Sequence, residues 1–104
     1  MDPLQVFLEE LRPLLARCGA RAAYVFGSHA RGKADRHSDI DVIVVAPTNR
    51  PPVERFRDYL PAIVAAGVGV DLFVYTPQEF DDMRAEERPF LTHALADARL
   101  VYEG

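Results

Sequence analysis

Two aspartates one residue apart, Asp39 and Asp41, stand at the head of the apolar run from Ile40 to Val45. Residues two apart in a strand project from the same face, roughly 6.5–7 Å apart along the chain. Two carboxylates aimed at one region repel unless solvent screens them, they share a proton, or cations sit between them. The last arrangement has a chemical use, because paired metal ions about 3.5–4 Å apart can clamp the attacking and leaving oxygens of phosphoryl or nucleotidyl transfer. Carboxylates and waters suit Mg2+ in that role. Upstream, Gly27-Ser28 follows a second apolar run, Ala22 to Phe26, and is expected to open a short helix. Free N–H groups and the positive dipole end at such a start, with a glycine that lets oxygens approach the backbone, make a seat for phosphate. The serine adds a hydroxyl donor, and Arg31, Lys33 and Arg36 add a local positive field. A third carboxylate, Asp71, interrupts the apolar run VGVDLFVY, where a lone charge needs a partner. It could ligate a metal and draw the proton from an incoming hydroxyl, or pair with an arginine; which of these holds depends on strand order.

These residues need elements to hold them. Asp2 and Pro3 read as an N-cap and first helical residue, followed by Leu4, Leu8, Leu11 and Leu15 at helical spacing. Pro13 should kink or split that helix, and Gly19 should stop it. Ala22–Phe26, Ile40–Ala46 and Val68–Tyr75 are rich in valine, isoleucine and aromatics, as strands are. Between the last two, Pro51-Pro52 opens a helical pattern with Val53, Phe56, Leu60, Ile63 and Val64 on one side and an awkward Pro61 within it. Thr76-Pro77-Gln78-Glu79 has the form of a capping box, and Pro89 restarts a final helix. Leu100-Val101-Tyr102 then forms an edge strand or a packed end. Strands alternating with helices predict an α/β or α+β layered domain, helices covering a small sheet.

Whole-chain properties bound the function. With 104 residues the chain suits one domain, 1–104, able to bury a single modest core. A second functional half is therefore expected from another chain. A net charge of -4 argues against a broad electrostatic grip on DNA or RNA, although a nucleotide needs only a local pocket. No stretch has the length of a transmembrane helix or the layout of a signal peptide, and the lone Cys18 cannot form an internal disulfide, so the expected compartment is the cytoplasm. Cys18 reads as a small, partly buried hydrophobe, His29 as a surface histidine and His93 as a packing residue. The acidic run Glu79, Asp81, Asp82, Glu86 and Glu87 reads as a solvated helical face, or alternatively a docking surface for a basic partner.

Gly27-Ser28, ten intervening residues and then Asp39-Ile40-Asp41, with Ala30-Arg31-Gly32 after the serine and Ser38 before the first aspartate, resembles the nucleotidyltransferase superfamily that includes DNA polymerase beta and kanamycin nucleotidyltransferase. By its length the chain resembles a minimal nucleotidyltransferase (MNT) domain, the kind found in prokaryotic gene pairs with a HEPN-domain protein. The resemblance covers nearly the entire chain. It implies a small mixed sheet of three or four strands flanked by about four helices, two Mg2+ ions, and ATP as donor. Carried over by position, Gly27 and Ser28 would hold the triphosphate, Asp39 and Asp41 would bridge both metals, and Asp71 would complete the catalytic metal site; Arg31, by its charge beside the phosphate seat, is a further nucleotide-binding candidate. The implied reaction is attack of an acceptor hydroxyl on the α-phosphate with loss of pyrophosphate. The implied role is that of antitoxin, adenylylating a HEPN-type toxin. Two other readings stand beside it: a non-catalytic antitoxin that masks its partner, and a transferase acting on a small hydroxylated molecule such as an antibiotic. Larger relatives have a further domain to wall the nucleotide or acceptor, so a homo-oligomer or a helical partner is expected to supply it here.

Overall fold

The computed structural model describes residues 2–35 and 37–104. Helix α1 (Pro3–Arg17) starts where Asp2 accepts the Gln5 N–H at 2.9 Å and Pro3 occupies the first turn, which needs no N–H. It buries Phe7, Leu8, Leu11 and Leu15. Pro13 does not split it. Pro13 lies on the exposed face of the helix, as does Glu9, whose carbonyl it cannot serve. The helix ends as its glycine predicts. Gly19 adopts φ 67°, and the N–H groups of Ala20 and Gly19 turn back to the carbonyls of Leu15 and Ala16.

Strands β1 (Ala22–Phe26), β2 (Ile40–Val45), β3 (Val70–Tyr75) and β4 (Arg99–Glu103) form one sheet in the order β3-β2-β1-β4. β1 runs antiparallel to β2 and β4, while β2 and β3 are parallel, so the sheet is mixed. The apolar tail is thus an edge strand. Helices α1 and α2 (Leu60–Ala65) cover one face, on which Val25, Ile40, Val42 and Val44 pack against Phe7, Leu11, Leu15, Tyr59 and Ala62. The other face carries α3 (Pro77–Ala85) and α4 (Pro89–Ala96), where Ile43 and Val45 meet Phe80, Leu91 and Ala94. β2 is covered on both sides, which is why its run is apolar without alternation.

The segment after β2 departs from the expected single helix. Pro52–Tyr59 is 3-10 helix, and the α-helix begins only at Leu60, with Pro61 in its first turn, where a missing N–H costs nothing. Its orientation also differs. Of the expected inward stripe only Ile63 packs against the core; the rest faces out, with Val53 82% and Val64 73% exposed, while Arg55, Tyr59 and Ala62 point into the protein. Arg55 explains the rotation: its guanidinium donates to the Val74 carbonyl at 3.1 Å and to both Glu79 carboxylate oxygens at 2.6 and 3.2 Å, and Nε donates to the Arg50 carbonyl at 3.2 Å. Glu79 in turn closes the capping box of α3 by accepting the Thr76 N–H, while Thr76 Oγ1 accepts the Glu79 N–H. Glu79 therefore leaves the acidic run and becomes an internal tie. Among the described residues no helix is long and apolar enough to cross a membrane.

Candidate functional site

β1 ends and β2 begins at the same edge of the sheet, and the parallel β3 begins there too, so three strand ends meet. At the first of them Gly27 adopts φ 72° and starts one turn of 3-10 helix, Gly27–His29. The turn closes through the N–H groups of Ala30 and Arg31 on the Gly27 carbonyl and of Lys33 on the Ser28 carbonyl. A single 3-10 turn has little dipole, so the expected helix-dipole contribution falls away. The early N–H groups of such a turn remain without partners inside it. Glycine is needed here for a second reason the sequence did not reveal: a Cβ on residue 27 would overlap Asp41 Oδ2.

The loop into β2 is pegged by Ser38. Its hydroxyl accepts the Asp35 N–H at 3.0 Å and donates to Asp35 Oδ1 at 3.3 Å, and Asp35 Oδ1 also accepts the His37 N–H at 2.8 Å. These bonds hold the Asp35 carboxyl below its ordinary range, the His37 N–H chiefly. His29 Nε2 donates to the Ser38 carbonyl at 3.2 Å, tying the 3-10 turn to the residue before Asp39. The expected surface histidine is thus a half-buried clasp. Arg36 lies outside the described residues.

Strand order, which the sequence left open, brings the carboxylates together. Ile40 donates to the Gly69 carbonyl at 2.9 Å, and the register that follows sets Asp41 opposite Asp71 on the neighbouring strand. Adjacent strands lie about 4.8 Å apart, so their carboxyl groups share one face. The Asp41 carboxyl is pushed up, first by burial, then by the charge of Asp71 and a hydrogen bond between the two, then by Asp39; His29 opposes this. Asp39 stands over Gly69, where a Cβ would come within 2.5 Å of its Oδ1. Gly69 is a site residue that sequence reasoning missed, and its glycine within VGVD was the available signal.

No described ion pair includes Asp39, Asp41 or Asp71, so the arginine-paired alternative for Asp71 is not realised among the described residues. Nor do three His, Cys, Asp or Glu groups among them close into a ready metal cage. The Asp41–Asp71 pair nevertheless fits a hard divalent cation, since two carboxylates side by side on adjacent strands repel each other and a cation between them would relieve that repulsion. Mg2+ commonly takes only one or two carboxylates and completes its shell with water and substrate phosphates.

A cleft of about 230 Å³ opens beside Asp41, walled by Phe26, Gly27 and Arg31 on one side and His93, Ala94 and Asp97 of the α4 end on the other. Arg31 is exposed and lines it. Lys33 is exposed and does not. His93, expected to pack, is exposed at this wall; Leu91 and Ala94 carry the packing of α4 instead.

Taken with this geometry, the comparisons with known proteins define the class. A family model described as the nucleotidyltransferase domain matches residues 7–99. A solved minimal nucleotidyltransferase is 31% identical over 95% of both chains, with a TM-score of 0.65. The chain belongs to the nucleotidyltransferase domain family, within its minimal members. Two further structures share the fold at lower identity. One is a toxin-antitoxin structure with AMP-PNP, 20% identical over 93% of this chain and 73% of that one, TM-score 0.68. The other holds tri-AMPylated Shewanella oneidensis HEPN toxin in complex with MNT antitoxin, 18% identical over 96% of this chain and 72% of that one, TM-score 0.62. Comparison with curated protein sequences gives no significant match.

Proposed function

We propose that this nucleotidyltransferase moves AMP from ATP to a hydroxyl of a partner protein and serves as the antitoxin of a HEPN/MNT pair. The observation that carries the reading is the register of Asp41 on Asp71, one strand away from a Gly27 turn that leaves room only for the Asp41 carboxylate. Gly27 and Ser28 offer main-chain and hydroxyl donors to the triphosphate, and Arg31 meets its charge from the cleft wall. Asp39, Asp41 and Asp71 are the residues that would hold Mg2+. When bound, the cation neutralises charge on the phosphates. The acceptor hydroxyl oxygen then bonds to the α-phosphorus as the bond from that phosphorus to the oxygen bridging the β-phosphate breaks, releasing pyrophosphate. The hydroxyl proton passes to the Asp71 carboxylate, which is exposed and returns it to solvent.

The structures of toxin-antitoxin complexes sharing this fold support a protein acceptor over a small molecule. Intact-mass measurement of the partner after incubation with Mg2+, ATP and the wild-type chain should show a gain of one or more AMP units, absent with Asp41→Asn. Neutralisation of the partner with no mass gain would overturn transfer and leave masking.

A further inference from the structure

The stripe Val53, Phe56, Leu60 and Val64 is turned to solvent, with Phe56 40% and Leu60 43% exposed, and beside it runs the outer edge of β3. Parallel pairing uses alternate residues of that strand. The Gly69 and Tyr75 carbonyls accept the N–H groups of Ile40 and Ala46, so in the β2–β3 register the main-chain groups of Asp71 and Phe73 also face β2. Those of Val70, Leu72 and Val74 face away. Arg55 closes one end of this edge by donating to the Val74 carbonyl at 3.1 Å. Among the described residues no backbone group meets the outward N–H and C=O of Val70 and Leu72. A groove of about 360 Å³ straddles this open part, with Phe56, Leu60 and Ile63 as one wall and Val70 to Phe73 as the other. Asp71 is common to the groove and to the carboxylate cluster.

We infer that this edge is the acceptor subsite, taking an extended polypeptide segment as a fifth strand over Val70–Leu72. Unpaired main-chain donors and acceptors repeating every second residue match another strand and no helix, whose own main chain is already bonded. A small hydroxylated molecule has no use for them. In an added strand, alternate side chains take opposite faces. One residue then presents its hydroxyl on the Asp71 face, and its neighbours rest on Phe56 and Leu60. The seal at Val74 makes the site short and stops the strand from extending away from the chemistry. The subsite rests on the transfer reading above and specifies the form of its acceptor.

The test uses the full chain with Mg2+, α-labelled ATP and heptapeptide libraries fixed at a central Tyr, Ser or Thr, beside glycerol as an acceptor that needs no subsite. Peptides should be labelled, with β-branched and aromatic residues selected next to the hydroxyl residue. Methylation of alternate amide nitrogens should lower labelling at least tenfold. Leu60→Lys and Phe56→Glu, each checked for folding by thermal melting, should lower the ratio of peptide to glycerol transfer at least tenfold. Glycerol labelled without peptides, or a ratio unmoved by the substitutions and by N-methylation, overturns the subsite while leaving nucleotidyl transfer intact. Wild-type chain inert toward both acceptors overturns the transfer reading and the subsite with it. A dimer in sedimentation that Leu60→Lys makes monomeric assigns the edge to a second copy and also overturns the subsite.

Discussion

At the scale of single residues, the site is a compromise between charge and space. Asp41 is half-buried beside Asp71, so its charge destabilises the metal-free fold while serving the chemistry proposed for it. Asp41→Asn removes charge and little volume. Adenylyl transfer should fall at least a hundredfold, while the thermal midpoint in metal-free buffer holds or rises. A midpoint drop of several degrees would show the carboxylate to be structural. Gly27 is bound by two constraints, its positive φ and the Asp41 oxygen against it. Gly27→Ala should therefore cost about 1–2 kcal/mol in urea unfolding and displace the Asp41 carboxylate, with a larger loss of transfer than the stability change explains.

At the scale of elements, Arg55, Glu79 and Thr76 join the segment after β2, the end of β3 and the start of α3 in one hydrogen-bonded group. Arg55→Ala removes the donor of the Val74 carbonyl and leaves the Glu79 carboxylate with the Thr76 N–H alone, and should cost about 2–3 kcal/mol. Glu79 is held below its ordinary value of 4.5, first by the hydrogen bond from Arg55 and further by the Thr76 N–H. A depressed folded-state carboxyl stabilises the protein above its unfolded value and loses that contribution as pH falls through the folded one. The urea midpoints of wild type and Glu79→Gln should therefore differ near pH 7 and converge below about pH 4.5. A difference that persists to pH 2 would mean the pair contributes by packing alone. The α3–α4 corner holds a second local strain, since Glu87 sits at φ 52° in the place where helices favour glycine. Glu87→Gly should raise stability by about 0.5–1 kcal/mol, read from the same unfolding curves.

At the scale of the whole molecule, a sheet sandwiched between two helical layers puts β2 at the centre and the strand ends at the rim. The carboxylates are carried by the best-buried strand and its parallel neighbour, which fixes their spacing against thermal motion. A ligand that binds only the folded chain should stabilise all of it. With Mg2+ and a non-hydrolysable ATP analogue at about a hundredfold excess over Kd, the gain should be about 2.7 kcal/mol, several degrees in a thermal shift, and Asp41→Asn should abolish it. An equal shift in the variant would place nucleotide binding away from these aspartates.

What the sequence determined alone was local. The N-cap of α1, its glycine stop, the capping box of α3, the strands β1, β2 and β3 and the spacing of Gly27-Ser28 to Asp39 and Asp41 all follow from short-range geometry, where a residue's type dictates its neighbours' conformation. Pairing was decided only in three dimensions. Strand period places a side chain on a face but does not say which strand lies alongside, so Asp71 became the partner of Asp41 through the parallel register alone. The outward turn of the stripe through Phe56 and Leu60 was equally hidden, because burying Arg55 against Val74 and Glu79, distant in sequence, outweighs the pull of an apolar face toward the core. In the chain Gly27 reads as part of a phosphate seat and Gly69 only as part of a strand, and only the folded backbone reveals that each leaves space for a carboxylate from elsewhere. Helical and strand periods are set by bonds a few residues long, whereas a site's shape is set by which distant segments the core brings into contact.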